Sequence, residues 1–465
     1  MDLDGTLVKS DTLVDSLLAL ARHHPFRVFG LIGPLLRGKA AFKESVTSQV
    51  TLDVVHLPYN RKVIEFLRRQ RQAGRRIYLA TGANEALARR VAAHLGVFTD
   101  VLGSDGATNL TGSRKLDRLR AKLGPGEFDY IGNDTPDLPL LAEATEKMLA
   151  NPSLRLRLKL RARHIAPTAR FEERSSTLRS ALKAMRLHQW AKNALMFLPL
   201  LLSHEIAFKS VFSELLAFLC FSLTASATYI VNDLLDIETD RRHARKRARP
   251  FAAGDLSALS GFFLVAAFLL LGFAGARALP LAFLKWLALY VVTTLAYSFY
   301  FKRVALVDVL VLSGLYTLRL EAGAAATHTP ISNWLAGFSI FLFLSLAFVK
   351  RFAELENLRA SAAAPRNGRG YLVADLEQLR AFGTTSAYAA VVIFAIYING
   401  SDVTVLYRHP NVLWLIVPLQ ILWLSRVWLL ASRGELNEDP VVYAITNRLS
   451  LLIGAGVVLI ALLAL

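Results

Sequence analysis

After residue 193 the chain is dominated by apolar runs close to the ~20 residues that a helix needs to cross a bilayer, and such runs satisfy their backbone only as membrane helices. Nine candidate spans can be placed, at about 184–203, 208–231, 257–276, 280–300, 304–323, 333–350, 384–402, 411–431 and 443–464. The composition agrees: 54% of the 465 residues are hydrophobic and the mean hydropathy, +0.39, lies far above that of a soluble chain. A formal charge of +18 suits either nucleic acid or an anionic membrane surface. The apolar runs decide for the membrane, and no nucleic-acid role is expected. The single cysteine, Cys220, sits inside an apolar run and excludes an internal disulfide or a cysteine-rich metal site.

Residues 1 to about 150 read differently, as soluble α/β sequence. Short apolar runs such as Ile77 to Ala80 and Tyr130 to Ile131 end in Thr-Gly or Gly-Asn turns and alternate with helical stretches. No secretory signal opens this part, because Asp2, Asp4, Asp11 and Asp15 interrupt it, so it is expected in the cytoplasm. Residues 151–183 are rich in Arg and Lys and are expected to form a basic linker on anionic headgroups, ahead of a transmembrane domain over 184–465. With the amino terminus inside, the connections 232–256, 301–303, 351–383 and 432–442 become cytoplasmic. They carry most of the Lys and Arg, while the opposite connections hold little beyond Lys209, Arg277 and Arg408. A multi-pass protein of the inner (cytoplasmic) membrane is the expectation.

The stretch VNDLLDIETDRRHARKRARP, 231–250, closes the second expected span. On a helix, Asp233, Asp236 and Asp240 are three and four residues apart and share a face, where unpaired carboxylates repel one another. Such a face suits a hard divalent ion, and Mg2+ binds through carboxylates together with substrate phosphate. Asn232 adds an amide oxygen, and the cations that follow suit phosphates the metal leaves unneutralised. An ordinary acidic helix end beside positive-inside residues is the plainer alternative.

NDxxDxxxD at the end of a second span resembles the first aspartate-rich motif of the UbiA superfamily of membrane prenyltransferases, over roughly 180–465. RLHQWAKNALMFLPLL from Arg186, YSFYFKRVALVDVLVLSGLYTLR from Tyr297 and FVKRFAEL from Phe348 resemble its decaprenylphosphoryl-5-phosphoribose synthase branch. That resemblance implies transfer of 5-phosphoribose from phosphoribosyl diphosphate to a polyprenyl phosphate, with Mg2+ on Asp233, Asp236 and Asp240. Aromatic prenyltransferases of the superfamily usually carry a second spaced aspartate pair on a later helix; here that place holds Lys350, Arg351 and Glu354, which suit the 5-phosphate better than a second metal. Lys192, Arg241, Lys246, Arg249 and Lys302 are the further candidates for phosphate contacts. Asp308 is an intramembrane acid and a functional candidate by default, or else a partner of Lys302 or Arg319.

At the amino terminus, MDLDGTL resembles the first motif of the haloacid dehalogenase superfamily of phosphohydrolases. Asp2 and Asp4 lie on one side of an extended chain, so one can attack phosphorus while the other moves protons and both approach Mg2+. Thr81 in ATG, Lys115, and Asp137 in GNDTPD continue the pattern as phosphate holder, phosphoryl counter-charge and metal ligand. Two departures are visible: Asn133 stands where the motif usually has aspartate, leaving Asp137 with Asp134 for the metal, and Met1 directly precedes Asp2, without the buried strand that normally carries the nucleophile. The expected fold is therefore an α/β, Rossmann-like domain followed by an all-α domain of about nine membrane helices. Two other functions compete with phosphoribosyl transfer: prenyl transfer from a prenyl diphosphate to an aromatic or lipid acceptor, and a non-enzymatic carrier or scaffold.

Overall fold

A computed structural model of the chain describes residues 1–124, 127–204, 207–360, 369–400, 403, 406–436 and 439–465. The expected span ending at 402 and the expected connections 351–383 and 432–442 each run partly outside these described residues. The chain divides into two compact units, Met1–Met185 with Tyr229–Val265, and Arg186–Thr228 with Ala266–Leu465.

The first unit is built on parallel strands. β1 (Tyr78–Asn84) pairs with β2 (Asp100–Ser104), placing Leu79 opposite Val101. β3 (Tyr130–Gly132) pairs with β4 (Lys147–Ala150), which pairs with β5 (Ala169–Phe171). The backbone of Met1 and Asp2 runs between the two sets: the Ala80 amide donates to Met1 O (2.9 Å) and the Asp2 amide to Ile131 O (3.1 Å). Asp2 is thereby held between the two sets of strands by backbone pairing that the sequence alone did not suggest. Helices are started by side-chain caps, Asp11 on Thr12–His23, Asn60 on Arg61–Gln72 and Asn84 on Glu85–Leu95, each accepting from backbone amides of the first turn. Leu3, Leu7, Val8, Val63, Leu79, Ala88 and Val91 are fully buried between these elements. Each large apolar side chain so buried contributes roughly 1.5–3 kcal/mol.

Residues 151–183, expected as a linker, include helix Leu154–Ala162 and strand β5. The many Arg and Lys hide a pair of buried leucines, Leu156 and Leu160, spaced one turn apart. Sheet pairing to β4 then carries the α/β fold through Phe171.

Among the described residues, seven helices are long and apolar enough to span a bilayer: Phe208–Leu235, Ala258–Ala276, Leu281–Phe299, Val307–Thr327, Asn333–Arg359, Val373–Ile398 and Pro410–Ser432. Pro440–Thr446 and Arg448–Ala464, bent by 77°, make an eighth if taken as one. The protein is thus a multi-pass membrane protein, and the described residues show seven or eight such helices where the sequence offered nine apolar runs. The first run resolves into a 3-10 stretch, Leu187–Met196, and a short helix, Phe197–Leu202. His188, Gln189, Lys192 and Asn193 make it polar, and Arg186 enters it in the left-handed region at φ 52°. In the second unit Val349, Phe352 and Leu355 on Asn333–Arg359 form a core with Tyr371, Leu379, Val427 and Trp428. Gly383 lets two helices meet there, since a Cβ would fall 2.1 Å from the Trp428 ring.

Candidate active sites

The membrane helix Phe208–Leu235, which enters the first unit at Tyr229, gives way at Asp236 (φ −95°, ψ 5°) to a short helix, Ile237–Arg242. The three aspartates consequently divide. Buried Asp233 and Asp240 converge on one nitrogen, Arg249 Nη1, at 3.1 and 2.7 Å, whereas Asp236 accepts from Asn232 Nδ2 (3.2 Å) and pairs with Arg22. Burial, opposed by Arg249, raises the Asp240 carboxyl above the usual range. Arg241 does not face the aspartates: its Nη1 donates to Asp15 Oδ2 (2.8 Å) and its Nε to Ala252 O (3.2 Å). Lys246 is half-buried in the turn Lys246–Ala248.

The same unit assembles the second constellation. Lys115 Nζ donates to Asp2 Oδ1 (2.9 Å), Asp137 Oδ1 (3.1 Å) and Tyr130 OH (3.2 Å) in a buried cluster. Burial opposes its charge, but Asp2, Tyr130 and Asp137 hold its pKa well above that of an ordinary lysine. Asp137 Oδ2 also accepts from the Asn133 amide (3.0 Å), so Asn133 takes part through its backbone. Asp134 turns away as a cap, bonded to the Thr135 amide (2.7 Å) and Ser153 Oγ (2.6 Å). Asp4 accepts from the Thr12 amide (2.8 Å), and burial, reinforced by Asp11 and Asp2, pushes its carboxyl well above the normal range. A carboxyl whose hold on its proton is strengthened in this way suits proton donation. Thr81 lies buried in β1 and accepts from the Ala83 amide (3.0 Å). A small cleft is lined by Asp4, Asp11, Lys43 and Asn84. Lys43 donates to Gly82 O (2.6 Å) and Asn109 Oδ1 (2.8 Å), a cation near the acids that no motif announced.

Among the described residues, no three His, Cys, Asp or Glu side chains converge as a metal-holding group. Two pairs of carboxylates do converge, Asp233 with Asp240 and Asp2 with Asp137, each on a basic side chain. Hard oxygen donors gathered around one positive charge fit Mg2+, which completes its shell with phosphate and water.

The second unit holds a cationic centre. Asp439, the N-cap of Pro440–Thr446, accepts from Lys192 (2.7 Å) and Lys350 (2.9 Å) on Oδ2 and from Tyr316 OH (3.2 Å) on Oδ1. Nearby in the chain order of Val307–Thr327, Arg319 Nε donates to Asn193 Oδ1 (2.9 Å), and its guanidinium lies over the rings of Phe221, Tyr290 and Tyr316. Gly323 permits this: a Cβ there would stand 2.0 Å from Met196 O, so the segment carrying Lys192 and Asn193 lies directly on the helix. Asp308, expected either as a functional acid or as a partner of Lys302 or Arg319, is fully buried against Arg351 and Tyr371 OH. Arg351 also binds Glu354 (2.7 Å) and Tyr297 OH (3.0 Å), forming a structural network in the helix cores. Lys302 lies half-buried in the turn Phe301–Arg303. Asp439 was missed in the sequence although its Asp-Pro pair is a helix-start signal; Asp15 and Arg22 had no signal, because their partners are remote in the chain.

A UbiA prenyltransferase family model matches residues 196–463, and a haloacid dehalogenase-like hydrolase model matches 1–142. Over 459 residues the chain is 39% identical to the uncharacterized protein y4nM of Sinorhizobium fredii, covering 98% of this chain and 88% of that one. It is 34% identical over 221 residues to the decaprenyl-phosphate phosphoribosyltransferase of Mycobacterium tuberculosis, 46% of this chain and 72% of the relative. A solved UbiA homolog from Archaeoglobus fulgidus, bound to GPP and Mg2+, is 18% identical with a TM-score of 0.46, covering 60% of this chain and 99% of its own.

Proposed function

We propose a specific reaction for a chain that belongs to the UbiA prenyltransferase family and carries a haloacid dehalogenase-like domain ahead of its membrane helices: it moves 5-phosphoribose from phosphoribosyl diphosphate to a polyprenyl phosphate. The observation that carries this reading is the pair Lys192 and Lys350, both held on Asp439. Where a second acid pair would serve a second metal, the helix Asn333–Arg359 presents Lys350, while its neighbour Arg351 is buried in the network with Asp308 and Glu354, and a lysine pair suits the phosphate groups of a sugar donor. The identity with a decaprenyl-phosphate phosphoribosyltransferase points the same way.

In this reaction the bond between the ribose anomeric carbon and diphosphate breaks, and its electron pair leaves with pyrophosphate. An oxygen of the lipid phosphate supplies the pair for the new bond; being anionic already, it needs no base. Asp233, Asp236 and Asp240 are the residues that would hold Mg2+, which when bound supplies fixed positive charge to the departing pyrophosphate. Lys192 and Lys350 bind and orient phosphate, with Lys246, Arg249 and Lys302 as further contacts.

The amino-terminal domain then removes the 5-phosphate of the product. Asp2 attacks phosphorus, Asp4 gives its proton to the departing C5 oxygen and later takes one from the water that cleaves the aspartyl phosphate, and Lys115 balances the phosphoryl charge. Asp2 and Asp137 would hold Mg2+ here. The distribution of Lys and Arg supports placement in the inner membrane with this domain in the cytoplasm.

Detergent-purified protein is incubated with Mg2+, phosphoribosyl diphosphate and a polyprenyl phosphate, beside Asp233→Asn, and the lipids are read by mass spectrometry. A phosphoribosyl or ribosyl lipid that the variant does not make is the expected result. Consumption of a prenyl diphosphate with no sugar lipid overturns the reading in favour of prenyl transfer.

A further inference from the structure

Arg241 was expected on a phosphate, yet it is buried against the phosphatase-like domain, and the contact begins at that domain's own catalytic loop. Thr12, whose amide holds Asp4, starts helix Thr12–His23. One turn on, Asp15 Oδ2 accepts from Ser10 Oγ (2.7 Å) and Arg241 Nη1 (2.8 Å), with the two charged side chains only 4% and 5% exposed. Arg241 Nη2 completes the group with Ser10 Oγ (3.0 Å). At the other end of the same helix Arg22 Nη1 donates to Leu235 O (3.0 Å) and pairs with Asp236. Around these, Arg242 pairs with Asp53 (2.8 Å), Lys183 Nζ donates to Ala248 O (2.6 Å), and Ser175 Oγ to Asp255 Oδ2 (3.0 Å).

We propose that Asp15 is a positioning residue for the aspartate-rich segment, acting through Arg241, and that Arg22 is the counter-ion that Asp236 must surrender when a divalent ion binds. The phosphatase-like domain thereby sets the metal affinity of the transferase motif. The proposal rests on the reading of that motif as a metal site.

The two residues act with opposite sign. Without Asp15, a buried guanidinium loses its partner, which is costly, and the 240–249 run that carries Asp240 and Arg249 must shift to bring it to water. Metal then binds less well. Without Arg22, a cation that competes for the Asp236 carboxylate is gone, and metal binds better. General loosening of the interface would move both variants the same way.

The test is limited trypsin cleavage of the full chain in detergent, following fragments that end at the exposed Arg245 and Arg247, over a Mg2+ titration without substrate, with pyrophosphate release measured in parallel. Arg22→Gln should lower the Mg2+ concentration that half-protects these bonds by about fivefold. Asp15→Asn should raise it by a similar factor and speed metal-free cleavage. Arg241→Gln breaks the same pair from the other side and should match Asp15→Asn, whereas Arg241→Lys, which keeps the charge, should lie nearer the parent protein. Shifts of one sign for Arg22→Gln and Asp15→Asn, or no shift, overturn the proposal. Parent cleavage insensitive to Mg2+ overturns the metal reading and the role of Arg22 with it, while metal-free rates still decide the Asp15–Arg241 anchor. The expected cleavage pattern without phosphoribosyl transfer overturns only the assigned reaction.

Discussion

At the scale of single residues, the recurrent device is a basic side chain shared by carboxylates: Arg249 between Asp233 and Asp240, Lys115 between Asp2 and Asp137. The second unit inverts it, with one carboxylate, Asp439, between Lys192 and Lys350. Removing the charge of Asp439 leaves two ammonium groups without their shared partner, and they repel or turn away. Asp439→Asn should therefore raise the KM for phosphoribosyl diphosphate about tenfold, equivalent to about 1.4 kcal/mol, and leave kcat within about threefold. Steady-state pyrophosphate release at varied donor concentration reads this split, and an unchanged KM places Asp439 outside donor binding.

At the scale of elements, two close approaches decide where the site residues stand. Leu156 and Leu160 join helix Leu154–Ala162 to the α/β core, while Leu158 on the same helix is exposed. Leu156→Ala should cost about 2–5 kcal/mol of stability and Leu158→Ala less than about 0.5, seen as a lowered melting temperature of the soluble domain's transition in the first variant alone. Equal, small effects would return residues 151–171 to a linker. Gly323 is the corresponding point in the second unit, where the Leu187–Met196 stretch rests on Val307–Thr327. A Cβ there meets backbone rather than a movable side chain, so Gly323→Val should displace Lys192 and Asn193 and lower transfer by at least about tenfold. Gly337→Val, on Asn333–Arg359 with its Cβ 4.0 Å from Ile393, should be nearly silent in the same assay.

At the scale of the whole molecule, one chain joins a family of membrane transferases to a phosphohydrolase-like domain, and the product of the first proposed reaction carries the phosphate that the second would remove. Asp2→Asn should stop phosphate release without slowing pyrophosphate release, so that phosphoribosyl lipid accumulates in place of ribosyl lipid. Mass spectrometry of the lipids distinguishes the two by one phosphate group. Loss of both activities in this variant would mean that Asp2 serves the fold rather than the hydrolysis.

The sequence by itself determined the fold class and most of the membrane helices from Phe208 onward, because these depend on local composition and on spacing along one element. The continuous span expected at 184–203 failed for a local reason as well: its polar residues and a left-handed Arg186 outweigh its leucines. Partners were another matter. That Arg241 meets Asp15, that Asp308 meets Arg351 and Tyr371, and that Asp439 gathers Lys192 and Lys350 involves residues far apart in the chain. Pattern along the chain specifies which face of an element is polar, but a charge pairs with whatever opposite charge the packing of distant elements brings within about 3–4 Å. Only the tertiary structure decides that.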